Sequence, residues 1–141
     1  MLMLPHHVEI LPDRDGHPVV EVTYDLTAAQ VAAGAHAVRI VREARHRTQE
    51  MSSDDVLAMR ELTSIADELA VLEVHAAAVT LRASPARLGV FRDALETFAA
   101  GEHVEREGDA DARPIVFALA DGVAGLHTEA IRAALGAPAA R

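Results

Sequence analysis

The stretch RIVREARHR, residues 39–47, contains the side chains whose types and spacing are best suited to binding or catalysis. Within it, Glu43 and His46 stand three positions apart, the spacing with which one helix of a carboxylate-bridged di-iron bundle supplies two ligands. Such a bundle needs a second Glu-x-x-His, and the sequence contains none. Helical spacing also places both side chains opposite the apolar positions of their helix, so we predict a solvated helix face rather than a metal site here.

The chain has eight histidines, but no HExxH or comparable ligand spacing connects them. A linear pattern leaves open whether they converge in space, and we predict no metal and no cofactor. Apart from His46 they are His6, His7, His17, His36, His75, His103 and His127. Of these, His75 and His127 are the candidate binding residues, because His75 ends a long predicted helix and His127 lies in the corresponding later helix.

The arginines of 39–47 admit two interpretations. Arg45 falls at the predicted C-terminus of its helix, where positive charge complements the helix dipole and faces the acidic start of the next helix. Arg42 and Arg45 also flank the apolar stripe without an acid four residues away. These two arginines are therefore candidates for binding an acidic or phosphorylated partner.

Composition excludes several functional classes. The formal charge is -9, and the aromatic residues are one tyrosine and three phenylalanines, which disfavours nucleic-acid binding. There is no cysteine, and hence no disulfide, thiol nucleophile or Cys-ligated metal. No serine lies in a Gly-x-Ser-x-Gly context and no Gly-rich phosphate loop is present, so we assign no catalytic residue.

The first residues, MLMLPHH, lack the basic and apolar regions of a signal peptide. No later run approaches the roughly 18 apolar residues of a membrane span. We therefore predict a cytoplasmic protein without a membrane segment.

Two stretches have the two-residue period of β-strands. Residues 7–25 alternate apolar and polar side chains on both sides of Asp15-Gly16, which predicts a β-hairpin with that pair as its turn. Residues 79–82, VTLR, form a shorter alternating segment. We predict that this segment joins the hairpin in one small sheet.

Caps mark the helix starts. Thr27 precedes a first helix, which we expect to end between residues 48 and 51. Ser52, with an aspartate three residues later, predicts a capping box and a second helix of about six turns. Ser84, followed by a proline, begins a third helix, which Gly101 is placed to end.

The last third of the chain is less clear. Residues 102–113, EHVEREGDADAR, are rich in charge with almost nothing to bury, which predicts an exposed, mobile acidic loop. Residues 114–121 fit either a buried strand or the first half of a helix that continues to Leu135. The spacing of the apolar residues favours the helix, with Gly136 at its end.

An offset of 57 residues aligns VTYDLTAAQV, residues 22–31, with VTLRASPARL, residues 79–88. The chain can then be divided into two strand-helix-helix units, 18–75 and 76–135, neither of which could bury its apolar face alone. A strand, a cap and an amphipathic helix also recur by chance. Duplication and coincidence therefore both stay open.

These patterns predict a single α+β domain over residues 1–141, with a small sheet covered by four amphipathic helices. Long amphipathic helices and an aliphatic core offer surfaces but no recognisable reactive group, so we expect a non-enzymatic interaction or regulatory module that associates with itself or with another protein. The alternative is a small-molecule or metal-dependent enzyme with a cleft between the two units, lined by histidine and arginine.

Overall fold

Alternating apolar residues give the sheet one buried face, and helices cover that face. The computed structural model describes residues 2–12, 18–48, 52–101, 103 and 105–136. Within these residues the strands are β1 (His6–Pro12), β2 (Pro18–Leu26) and β3 (Val79–Ala83), and the helices are α1 (Ala28–Thr48), α2 (Ser53–Val74), α3 (Pro85–Ala99) and α4 (Asp109–Gly136). The predicted α+β fold is confirmed. The predicted turn, Asp15-Gly16, lies outside the described residues.

The sheet is antiparallel throughout, in the order β1-β2-β3. Val22 pairs with Val8 on one side and with Ala83 on the other, so β2 is the central strand. Its inward side chains are buried against the helices.

The predicted helix starts are confirmed by their hydrogen bonds. The backbone N–H of Gln30 donates to the Thr27 hydroxyl over 3.2 Å, and Ser52 accepts in the same way from Asp55 while the Asp55 carboxylate accepts from the Ser52 backbone. Ser84 caps α3, and Gly101 ends that helix with a φ of 74°. Local sequence therefore determines where these helices begin and end.

Helix α4 contacts α1, α3 and both strands of the hairpin. Its inward residues are fully or almost fully buried. They are Val116, Leu119, Val123, Leu126 and Ala130. The ambiguous segment 114–121 is thus helical, with Pro114 inside the helix.

The predicted loop 102–113 needs correction, because α4 begins at Asp109, five residues before its proline. The sequence favoured a loop because residues 102–113 include many charged side chains and almost no apolar ones that a helix could bury. Asp109 is nevertheless fully buried, because side chains distant in sequence provide its hydrogen-bond partners. Residues 109–113 therefore belong to the helix.

Among the described residues, α4 is also the one helix long and apolar enough, by length and composition, to cross a membrane. Of its most apolar 18-residue window, 39% is buried within the fold. The core helix of a soluble protein passes the same test, so length and hydropathy alone assign no membrane role to α4.

The 57-residue offset also relates residues outside the two aligned stretches. The paired segments 22–26 and 79–83 are offset counterparts, and Tyr24 pairs with its own counterpart, Leu81. The offset also places each buried residue of α2 on a buried residue of α4. These pairs are Leu62 with Leu119, Ile65 with Gly122, Ala66 with Val123 and Leu69 with Leu126. A duplication would produce this agreement, and it stays a prediction.

The capping box at α2 gives a first test. Replacing Ser52 with alanine removes the acceptor for the Asp55 N–H, and we expect a loss of about 1 kcal/mol in the free energy of unfolding. Ser53 is the matched control, since it is exposed and follows directly. Urea denaturation of both variants measures the difference, and an equal effect of the two substitutions would contradict the assigned cap.

Candidate functional site

Asp109 is the one fully buried charged residue in the described part of the chain. Its Oδ1 lies 2.7 Å from His36 Nε2, and its Oδ2 lies 2.9 Å from His103 Nε2. The backbone N–H of Arg106 also donates to Oδ2 over 2.9 Å. An ionised carboxylate only accepts hydrogen bonds, so both imidazoles donate through Nε2.

Three parts of the fold bring these groups together. His36 comes from the middle of α1, His103 from the connection between α3 and α4, and Asp109 from the first residue of α4. Phe98, near the end of α3, stacks on His103 with ring centroids 4.8 Å apart and meets the edge of His36 at 5.6 Å. The side chains therefore join α1, α3 and α4 around one carboxylate.

Hydrogen bonding determines the ionisation of this carboxylate. Burial raises the pKa of Asp109, but the hydrogen bonds from the Arg106 backbone, His36 and His103 outweigh it and lower the pKa to about 2. Asp109 is therefore ionised at neutral pH, inside the protein.

Two ion pairs surround the buried cluster. Arg106 Nη1 lies 2.5 Å from Glu43 Oε2, and this hydrogen bond lowers the pKa of the Glu43 carboxyl. The Arg113 guanidinium donates to both oxygens of Glu105, over 3.1 and 2.7 Å, and lies 5.7 Å from the centre of the Phe98 ring. Exposed pairs of this kind contribute little stability individually, but they position the connecting segment.

The cluster also has the chemistry of a metal site. One donor atom each from His103, Glu105 and Asp109 lie within 4.8 Å of one another. Imidazole nitrogen and carboxylate oxygen are the ligands with which proteins bind zinc and similar divalent ions. These side chains can therefore either hold a cation or remain a hydrogen-bonded cluster.

The predicted binding arginines lie elsewhere. Arg45 forms an ion pair of 2.6 Å with Asp93 and donates to the Thr97 hydroxyl over 3.1 Å, so it connects α1 to α3. Arg42 is partly exposed and has neither a hydrogen bond nor an ion pair to any described residue. Of these two arginines, Arg42 is the one whose guanidinium has no carboxylate partner among the described residues.

The predicted binding histidines also occupy separate places. His75 is exposed and forms the C-cap of α2. His127 Nδ1 lies 3.2 Å from Arg92, and burial, together with that guanidinium, lowers the pKa of His127. Within the described residues, no hydrogen bond or ion pair joins any two of these four candidates. Their binding roles stay predictions.

The sequence contained only part of the information needed to find the Asp109 cluster. Acidic residues at 109 and 111 mark a helix start in principle, because they complement the helix dipole. The principal partner, His36, is 73 residues away from Asp109, and no local spacing connects them. Reasoning from spacing therefore gave preference to His75 and His127.

Known proteins provide no guide to this cluster. The chain matches no protein-family model, no curated protein and no solved structure.

The buried carboxylate gives a second test. Asp109→Ala leaves two imidazoles and one backbone N–H without their acceptor, so we expect a loss of about 3 kcal/mol or more in the free energy of unfolding. Asp111→Ala, at an exposed position in the same helical turn, should cost less than about 0.5 kcal/mol. Urea denaturation in the presence of EDTA measures both, and similar losses would contradict the anchoring role of Asp109.

Proposed function

We propose that this protein is a non-enzymatic interaction module that self-associates, and that two copies pack through the outer faces of their α4 helices. The observation that carries the proposal is a stripe on α4 that is complementary to itself when two copies run antiparallel. We call these residues the outer stripe. They are Ala118, Asp121, Gly125, Thr128, Arg132 and Leu135, and all are exposed.

The spacing of the outer stripe is that of a helix-packing seam. Its members follow one another at intervals of three and four residues, so they lie in one line along the helix. The buried residues of α4 occupy the opposite side of the helix, against the core. From position 118 to position 135 the stripe is about 27 Å long, at 1.5 Å per residue.

When a second copy lies antiparallel to the first, the residues of the two outer stripes face one another in complementary pairs. If Gly125 of one copy lies beside Thr128 of the other, Asp121 lies beside Arg132 and Ala118 beside Leu135, and the twofold axis repeats each pair. Opposite charges meet, and a small residue faces a large one. A parallel copy in register would instead place Asp121 against Asp121, so charge favours the antiparallel arrangement.

Gly125 and Phe117 also suit such an interface. Nothing lies within 4 Å of where a Cβ at Gly125 would be, so another backbone can approach closely there. Phe117 borders the stripe and is 69% exposed, at the edge of a groove of about 720 Å³ between α3 and α4. In the antiparallel arrangement it meets the last turn of the partner's α4, where a large apolar side chain adds buried area to the interface.

The enzyme alternative has weaker support. It predicts a cleft between the two units lined by histidine and arginine, and the candidate binding residues Arg45, His75 and His127 occupy separate places in the described structure. The histidines that do meet, His36 and His103, are 21% and 1% exposed at their side chains. Such burial supports a structural role better than contact with a substrate.

Charge reversal tests the proposed interface. Asp121→Arg or Arg132→Asp alone should shift the protein from dimer to monomer, because like charges then meet twice across the twofold axis. The double variant restores opposite charges and should restore the dimer. Analytical ultracentrifugation across a concentration series measures the dissociation constant, which Phe117→Ala should raise about tenfold or more.

The matched control is the pair Arg60→Asp and Asp67→Arg, two exposed positions on α2 away from the stripe. These substitutions should leave the mass unchanged. A monomeric wild type, or a dimer that survives either single reversal on α4, would contradict the proposal.

A further inference from the structure

We propose that His36, His103, Glu105 and Asp109 form a structural binding site for one Zn²⁺ ion. The site is separate from the outer stripe of α4, so the proposal of zinc binding does not depend on self-association. Two nitrogen and two oxygen donors complete the four-coordinate shell that structural zinc sites require.

The four donor residues of the proposed site lie near one another. Ligand bonds of about 2.0–2.2 Å in a tetrahedron separate the donor atoms by roughly 3.3–3.6 Å. In the structure, Asp109 Oδ1 lies 2.7 Å from His36 Nε2 and Asp109 Oδ2 lies 2.9 Å from His103 Nε2, and one donor atom each of His103, Glu105 and Asp109 lie within 4.8 Å of one another. Three of the four donors therefore already form one group, and His36 reaches it from α1 through Asp109.

Charge and burial favour a divalent ion. Two carboxylates balance Zn²⁺, so the occupied site is neutral, which matters because the Asp109 side chain is fully shielded from solvent. Zinc would take the places of the two Nε2 protons that now bridge each imidazole to Asp109, and each neutral imidazole would keep its proton on Nδ1. Binding would thus exchange two hydrogen bonds for metal bonds without changing the charge of the imidazoles.

Burial of the His103 ring closes one side of the site. His103 Nδ1 is buried and has no hydrogen-bond partner among the described residues, and the ring is only 1% exposed. With zinc on Nε2, the proton of the neutral imidazole would lie on Nδ1, which has no acceptor among the described residues. The buried ring shields this side of the site from solvent, as a closed metal site requires.

Glu105 is the solvent-exposed ligand of the proposed zinc site. Its side chain is 58% exposed, and Arg113 donates to both of its oxygens. A carboxylate oxygen has a second lone pair, so Glu105 can ligate zinc while Arg113 continues to orient it. Glu105 is also the ligand that can be changed without opening the core.

Calorimetric titration of chelator-treated protein with Zn²⁺ tests the proposal. The wild type should bind one ion per chain, and saturation should raise the melting temperature by about 5 °C or more. Co²⁺ should give the visible absorption of a tetrahedral site. Glu105→Gln, which keeps a hydrogen-bonding partner for Arg113, should weaken zinc binding about tenfold or more.

Glu107→Gln is the matched control, an exposed glutamate two residues along the same segment. It should bind zinc as the wild type does. The proposal is overturned if the wild type takes up no Zn²⁺, or if Glu105→Gln binds as tightly as Glu107→Gln. Since Glu105→Gln leaves the core intact, a loss of binding there cannot be attributed to unfolding.

Discussion

The position of α4 depends on one buried carboxylate. Asp109 begins the helix, and its two oxygens accept from His36 on α1 and from His103 and Arg106 on the connecting segment. A charge without these partners would cost several kcal/mol in the core, so the folded state requires the helix start, the connecting segment and α1 to be in contact. The remaining apolar side of α4 then packs against α1, α3 and the sheet.

The apolar packing of α4 determines which side of the helix faces outward. Because the inward residues of the helix are buried, the outer stripe is exposed to solvent along one line of the helix. Its members are small, polar, charged or apolar. A second polar anchor joins α2 and α3, where the largely buried Arg87 binds both Glu61 and Glu68. Long-range polar contacts thus connect helices whose apolar faces pack on one another.

The fold was largely predictable from the sequence, because its signals are local. Ser52 and Ser84 cap helices through hydrogen bonds to residues three positions away, and the alternation in β2 directly gives its buried face. The Asp109 cluster was not predictable in this way. A segment rich in acids indicates a loop unless something buries the charge, and here the partner that buries it is contributed by a different helix. Reasoning from sequence alone therefore placed the start of α4 too late and did not single out His36 and His103, the two histidines that meet at Asp109.

Nitrogen-15 NMR of the histidine side chains tests the central claim, that both imidazoles donate through Nε2 to Asp109, most directly. In metal-free protein near neutral pH, His36 and His103 should each show an Nε2 proton that exchanges slowly with solvent, while the exposed His46 should show rapid exchange. In Asp109→Asn the two slow signals should shift, since a neutral amide replaces the carboxylate acceptor. If His36 and His103 exchange as rapidly as His46, Asp109 does not hold these elements together.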